Sequence, residues 1–550
     1  MRLEFVPDRS RLVPLLIFGL WSSLAFAETR VPKWSLYEAD LTASGNASNW
    51  YTDPNGNVTV TFSGPGGVRK SVNAFWVGGK SFKVRFTPTA EGTWTYKTSS
   101  ANPGLNGKSG QLTCVAPLAG KHGFLRIDAN HPYSFVWDDG SRYFMWGQTY
   151  YDVLQPALVN DNWKASVDKS LEYGMNKVRM HVYAQNFYLP NVEFTKYPDA
   201  QPYLGSSTDP ERDDLNIPYW RKRDVMVQYM DTKGMVADLI ITNPYWDNRQ
   251  FGTDQQNDRF VRYVVSRYAA YANVIWCLAN EWDWSATGNQ YKGAHRQNKA
   301  DFERMGTLVR KNDPWMAEGA FLRPLSIHSG TSINFEFSGS RWPTYAILQY
   351  GGWNPDYMNG DEWGNAGIVH NLSHNMPVVN DEYGYMGQIN PKPNVRVNMT
   401  RTRLRGAIWG IASAGGYGSA GDFRVPANGM GNVEITGDWL DAPEEYGDLK
   451  RMIDFFTSKG IEYWKMSGQN GLVTAGTRTY VLAETGHQYV IYAAGGGDFS
   501  LNVAAGNYKA WRYDPMEGTE TSLGTVTGGG VHTFSVPANH DYAVYLMRSP

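Results

Sequence analysis

Residues 274–282 read Val274-Ile275-Trp276-Cys277-Leu278-Ala279-Asn280-Glu281-Trp282. Six apolar residues in a row suit a strand buried on both faces, as in a parallel sheet covered by helices. The run then ends in an amide and a carboxylate. An unpaired buried charge costs several kcal/mol, so a carboxylate at this point needs a reason. The same shape recurs along the chain. Lys177–Val182 carries Arg179 and His181, Ala346–Tyr350 ends in Gln349 and Tyr350, and Pro377–Asn380 runs into Asp381 and Glu382. Tyr143–Gly147, Met235–Thr242, Leu325–His328 and a glycine-rich stretch at Ala412–Gly418 complete a set of eight strands. Helical patterns alternate with them, among them Trp163–Tyr173, Arg259–Ala272, Lys299–Lys311 and Glu444–Lys459. The last shows Leu449, Met452, Ile453 and Phe456 at i, i+3, i+4 and i+7. Eight such units within residues 119–467 predict an α/β fold, a (β/α)8 TIM barrel carrying loop insertions. A doubly wound sheet would want a glycine-rich phosphate turn after the first strand, and Trp146-Gly147-Gln148-Thr149-Tyr150 supplies none.

The flanks have a different rhythm. Residues 28–118 alternate, as in Val58-Thr59-Val60-Thr61-Phe62 and Phe82-Lys83-Val84-Arg85-Phe86, with turns at Pro54-Asn55-Gly56 and Gly64-Pro65-Gly66-Gly67. Residues 468–550 behave likewise at Tyr489-Val490-Ile491-Tyr492 and Tyr542-Ala543-Val544-Tyr545-Leu546. Two small β-sandwich domains are therefore expected on either side of the barrel. Residues 1–27 have the form of a signal peptide. Arg2, Arg9 and Arg11 precede an apolar run that closes on Ala25-Phe26-Ala27. The expected product is secreted or periplasmic, and no later run is long enough to span a membrane. The formal net charge of −2 offers no basic field for nucleic acid. Cys114 and Cys277 are too few and too far apart for a disulfide framework, and Cys277 reads as a buried thiol. No metal-ligand spacing appears, so neither a metal nor a cofactor is expected.

Active sites of TIM barrels form where strands end at the C-terminal face. Glu281 and Glu382 both stand at such ends, 101 residues and three βα units apart, so they face each other across the barrel mouth. Paired carboxyls over one cleft are what glycosidic bond cleavage uses, one as proton donor and one as nucleophile or base. The two must differ in pKa. Trp276, Trp282 and Trp284 are placed to desolvate Glu281, Arg179 to hold Glu382 ionised, and Tyr350 to give Glu382 a hydrogen bond. Alternation sends Asp381 and Glu382 to opposite sides. Other candidates stay double-valued. His328 is a satisfied core histidine or a site residue, and His181 leans structural. Asp152 binds a sugar hydroxyl or caps a helix. Trp246 stacks on a sugar or packs in the core. The expected partner is a carbohydrate. A catalytically inactive carbohydrate-binding or adhesion protein on the same scaffold is the alternative, and a polysaccharide lyase a weaker third option.

Asn280-Glu281 after the fourth strand and Glu382 after the seventh resemble the clan A glycoside hydrolases, which are retaining (β/α)8 enzymes. The resemblance implies that Glu281 is the acid/base, Asn280 the ligand of the substrate 2-hydroxyl and Glu382 the nucleophile, with Arg179 and Tyr350 in support. Gly147-Gln148-Thr149-Tyr150-Tyr151-Asp152, Leu325-Ser326-Ile327-His328 and the helix leading to Tyr463-Trp464 are similar to the apiosidase-like glycosidases. Val84-Arg85-Phe86-Thr87-Pro88 with Glu91-Gly92-Thr93-Trp94 looks like the N-terminal sandwich such proteins often carry. Trp511-Arg512-Tyr513-Asp514-Pro515 and Asp541-Tyr542 look like the small C-terminal sandwich named for collagen binding. Segments 184–218 and 353–374 read as insertions.

Overall fold

The computed structural model describes residues 29–150, 162–183, 201–205, 210–242, 252–283, 297–330, 332–350, 359–386, 400–422 and 443–549. Its centre is a parallel barrel of strands β1 (Trp146–Thr149), β2 (Lys177–His181), β3 (Val236–Thr242) and β4 (Val274–Ala279), β5 in two pieces (Leu325–Ser326 and His328–Ser329), and β6 (Ala346–Leu348), β7 (Val378–Asn380) and β8 (Tyr417–Asp422). The hydrogen-bonded order starts at the first piece of β5 and runs through β4, β3, β2, β1, β8, β7 and β6 to its second piece. Leu325 pairs with Trp276 on β4, and His328 with Ile347 on β6. Two ends that belong to one strand close the cylinder, so nine parallel segments make an eight-stranded barrel that is nearly closed.

Helices α1 (Asn162–Glu172), α2 (Ile217–Lys233), α3 (Asp254–Tyr268), α4 (Lys299–Asn312), α5 (Gly360–Asn371), α6 (Arg401–Ser413) and α7 (Pro443–Ser458) accompany the strands. Capping boxes start α3 at Thr253 and Gln256 and α4 at Asn298 and Asp301. The box at Thr253 explains why α3 begins five residues before the apolar period shows. Glycines let α5 lie almost backbone to backbone on α6: a Cβ on Gly364 would meet the Ala407 carbonyl oxygen at 2.6 Å. The eighth strand begins at Tyr417 rather than Ala412, because Ala412 and Ser413 are the last turn of α6 and Gly415, at φ +83°, makes the turn. Two segments read as insertions hold regular structure, namely α5 and a hairpin of Tyr203–Gly205 with Pro210–Leu215.

Antiparallel sheets surround the barrel. One joins Arg142–Tyr143, Phe135–Trp137, Leu125–Ile127, Phe321–Leu322 and Ala317–Glu318, the segments leading into β1 and β5, and so lies at the N-terminal end. Phe135 packs there on Tyr345 and Tyr417. Ahead of it, a five-stranded and a three-stranded sheet enclose Phe62 stacked on Phe86, with centroids 3.8 Å apart. At the far end a six-stranded and a three-stranded sheet bury Val481, Ile491, Phe499, Leu501 and Phe534.

Both outer units are fixed to barrel helices by buried ions. Arg85 of the strand Ser81–Phe86 meets Asp224 on α2 at 2.6 Å and donates to the Arg267 carbonyl on α3 at 2.9 Å. Burial alone would raise the Asp224 carboxyl, but Arg267 and Arg85 hold it below the usual range. At the other side Arg405 on α6 meets Asp541 at 2.8 Å, and Trp409 stacks on Tyr492 at 5.4 Å.

Candidate active site

β4 is buried from end to end, and the chain leaves it through Asn280 and Glu281. The Asn280 N–H still donates to Thr242 of β3, at 3.1 Å. Glu281 then turns into the left-handed region, at φ 45°. Such a conformation costs a residue other than glycine of order 1–3 kcal/mol unless its surroundings hold it. Here the Glu281 N–H donates to His328 Nδ1 at 3.2 Å. With Nδ1 accepting, the ring proton of His328 sits on Nε2. Burial, then the charges of Arg179 and Lys177, push the His328 pKa well below the ordinary histidine value, so the ring stays neutral. Its Nε2 has no hydrogen-bond partner among the described residues. Replacing His328 with phenylalanine leaves the Glu281 N–H buried and unpaired. The expected loss is about 1–3 kcal/mol of stability, read as a lower midpoint in denaturant unfolding; an unchanged midpoint would show that this hydrogen bond carries nothing.

Arg179 occupies the middle of the arrangement. It is fully buried on β2, donates from Nη1 to Glu382 Oε1 at 3.4 Å, and from Nη2 to the side-chain oxygen of Asn280. Asn280 Nδ2 in turn reaches Glu281 Oε2 at 3.5 Å. One guanidinium therefore links the ends of β4 and β7. Burial opposes its charge, while Cys277, Asp381 and Asp238 raise its pKa above the ordinary value. The Cys277 thiol, pushed up to about 12 chiefly by burial, is neutral near pH 7, so the holding falls to Asp381 and, when it is ionised, to Asp238.

Glu382 is 1% exposed and Glu281 7%. Asp381 turns the other way, into the barrel, where Lys177 Nζ meets its Oδ1 at 2.5 Å and Ser419 donates at 2.7 Å. Burial raises its pKa, but Lys177 and Arg179 bring it below the usual carboxylate value.

The structure thus brings Glu281, Glu382, Asn280, Arg179 and His328 together. Tyr350 does not join them. Its ring lies against Gly367 on α5, where an added Cβ would come within 3.2 Å of it. Leu348 shares that helix-facing side, so Gln349 is the residue at this strand end turned the other way. Trp276 also points outward, donating to Asp313 at 2.8 Å, and does not desolvate Glu281. Trp282 is buried beside Glu281, with its indole N–H on Ser329 Oγ at 3.1 Å. Asp152, Trp246 and Trp284 lie outside the described residues.

Lys177 and Asp238 were not read from the sequence as site residues, yet each sits inside a fully buried strand. The signal was present: Asp238 is a lone carboxylate within Val-Ala-Asp-Leu-Ile-Ile-Thr, the same anomaly that marks Glu281. No group of three or more His, Cys, Asp or Glu placed to hold a metal ion occurs among the described residues.

The comparisons with known proteins agree with this architecture. No curated protein matches the sequence. Among solved structures, a candidate glycoside hydrolase from Bacteroides vulgatus ATCC 8482 is 19% identical, with a TM-score of 0.75 over 95% of this chain and 100% of that one. A family 5 glycoside hydrolase from the same organism is 14% identical, with a TM-score of 0.58 over 78% and 94%. At these identities the likeness is one of fold. Residues 30–101 match a domain of unknown function, DUF5060. Residues 130–422, more than half of the chain, match the family "Apiosidase-like, catalytic domain" and enclose all eight barrel strands, so the chain belongs to that family and carries a DUF5060 domain ahead of it.

Proposed function

We propose that this protein is a retaining glycosidase acting on a plant or algal polysaccharide or oligosaccharide, exported after removal of residues 1–27. The observation that carries the reading is the single buried guanidinium of Arg179, reaching Glu382 with one nitrogen and Asn280, beside Glu281, with another. Glu382, kept anionic beside that cation, attacks the anomeric carbon. Glu281 gives its proton to the departing glycosidic oxygen. The products of this step are the leaving alcohol and a glycosyl ester on Glu382. Water then enters, Glu281 takes its proton, the oxygen bonds to the anomeric carbon, and Glu382 leaves as carboxylate. Asn280 binds the hydroxyl next to the reacting carbon, and His328 offers its Nε2–H to the sugar while it holds the Glu281 backbone. The apiosidase-like match favours a branched or furanose sugar as the glycone.

A panel of fluorinated glycosides, with apiosides included, tests this. The expected result is one covalent sugar on Glu382, found by peptide mass mapping, with product of unchanged anomeric configuration by NMR. Product of inverted configuration would overturn the retaining mechanism. No reducing ends released from any polysaccharide, together with tight sugar binding by the folded protein, would instead support an inactive carbohydrate-binding protein.

A further inference from the structure

Below the two glutamates the barrel holds charged side chains that the double displacement does not use. Lys177 Nζ lies between Asp381 Oδ1, at 2.5 Å, and Asp238 Oδ2, at 3.4 Å, and all three side chains are 0% exposed. Ser419 on β8 adds a hydrogen bond to Asp381. Arg179, two residues along β2 from Lys177, has its Nε 3.8 Å from Asp381 Oδ2 and its Nη1 3.4 Å from Glu382. It also stands directly opposite Asp238 in the β2–β3 register. The set ties β2 and β3 to β7 and β8 through the interior, where TIM barrels ordinarily place branched aliphatic side chains. Buried ions are tolerated only when paired and hydrogen-bonded, so each charge here needs its counterpart.

Lys177 and Arg179 bring two positive charges, and Asp238, Asp381 and Glu382 three negative ones. One proton balances the set. The groups facing Asp238 are Lys177 and Arg179 from β2, Cys277 from β4, Asp381 from β7, and the phenols of Tyr143 and Tyr345 from the segments leading into β1 and β6. Burial raises the pKa of both phenols and the thiol, leaving them neutral near pH 7. Burial lifts the Asp238 carboxyl to about 6, and the charge of Asp381 adds to this against the pull of Lys177 and Arg179. Asp381 is held low by Lys177 and Arg179 despite its burial. The balancing proton therefore belongs on Asp238.

We propose that Lys177 and Asp238 are positioning residues for the reaction: Lys177 fixes Asp381 and so sets where Arg179 stands against Glu382, and Asp238, by holding or releasing a proton, decides how much of Lys177 is given to Asp381. This rests on the reading of Glu382 as nucleophile. With Asp238 protonated, Lys177 neutralises Asp381 and leaves Arg179 to Glu382 and Asn280. With Asp238 ionised, Lys177 is shared, and the less compensated Asp381 draws Arg179 away from Glu382. The rate of attack by Glu382 thus falls as pH rises through the Asp238 ionisation.

The test is the pH profile of glycosyl-enzyme formation, measured by stopped flow on an aryl glycoside whose leaving group departs without a proton, so that Glu281 drops out. The full chain should lose rate through about pH 6, and Asp238→Asn, which keeps an oxygen for Lys177 but cannot ionise, should stay level there. Superimposable profiles would overturn the proposal. Lys177→Met should lower kcat about tenfold or more with KM within about threefold; a folded Lys177→Met protein with normal kcat would also overturn it. If that variant does not fold, the Asp238→Asn profile decides. Glu382→Gln, run in parallel, separates the two readings. Full activity in Glu382→Gln removes the nucleophile assignment itself. An inactive Glu382→Gln with an unchanged Asp238→Asn profile removes only the role of Lys177 and Asp238.

Discussion

Glu382→Gln lowers kcat by about three orders of magnitude or more, and Glu281→Gln does the same for substrates with poor leaving groups. The two losses have different origins, and the substrate tells them apart. An amide at residue 382 has almost no nucleophilicity toward the anomeric carbon, so no choice of leaving group restores the rate. An amide at residue 281 cannot donate a proton, but a leaving group that departs as a stable anion does not ask for one. Glu281→Gln should therefore still form the glycosyl-enzyme from such a substrate, and azide, which needs no general base, should release the sugar. Both proteins should fold. Arg179 remains within 3.8 Å of Asp381 and bonded to Asn280 when residue 382 is neutral. Steady-state rates and unfolding midpoints on the same preparations check this. Activity near that of the parent protein in either variant would end the assignment for that residue.

Arg179→Lys should cost about a hundredfold in kcat with a smaller change in KM. The guanidinium works in three directions at once: toward Glu382 from Nη1, toward Asn280 from Nη2, and past Asp381 from Nε. An ammonium is a point charge on a flexible stem, with no planar fork to hold two partners in fixed relation. It can neutralise Glu382 or support Asn280, but not both in the original geometry. Arg179→Met should do more, because it strips the cation from two buried carboxylates. Removing one partner of a buried pair costs about 3–5 kcal/mol, so this protein should also unfold at lower denaturant. A lysine variant with parental kcat would mean that Arg179 supplies charge alone.

How far the sequence could be read follows from what each residue answers to. The barrel was legible because its strands are buried on both sides: Val274–Ala279 can be little else, and its bounds hold to the residue. Glu281, Glu382, Asn280 and Arg179 were legible because a polar group at the end of such a strand breaks the pattern. Tyr350 and Trp276 were misjudged for one reason. In a strand apolar on both faces, alternation cannot say which face looks inward, and both rings went to the helix layer. The eighth strand slipped because Ala412–Gly416 carries no period of its own; a helix end and a glycine turn share that composition. The base sheet over residues 125–143 and 317–322 depends on contacts between segments far apart in sequence. The ions beneath the cleft were hidden most deeply. Nothing in Lys177 alone says that its partner lies 204 residues away.

The anchoring of the outer sandwiches bears on how such a chain can change over evolutionary time. Arg405 belongs to the barrel while its carboxylate, Asp541, belongs to the terminal sheets, and Arg85 stands in the reverse relation to Asp224. A unit whose ionic accounts are settled inside its neighbour is not an interchangeable cassette. Shuffling either sandwich onto a foreign barrel would break an ion pair at the junction: Arg85 would keep only Glu38, and Asp541 would lose Arg405. Both attachments are made to helices rather than to strand ends. Segments that follow the strands share in the joints as well, through Asn49 on Asp213 and through Arg478 and Tyr480 on Asp361, so reworking them for a new specificity also reworks how the outer units are held.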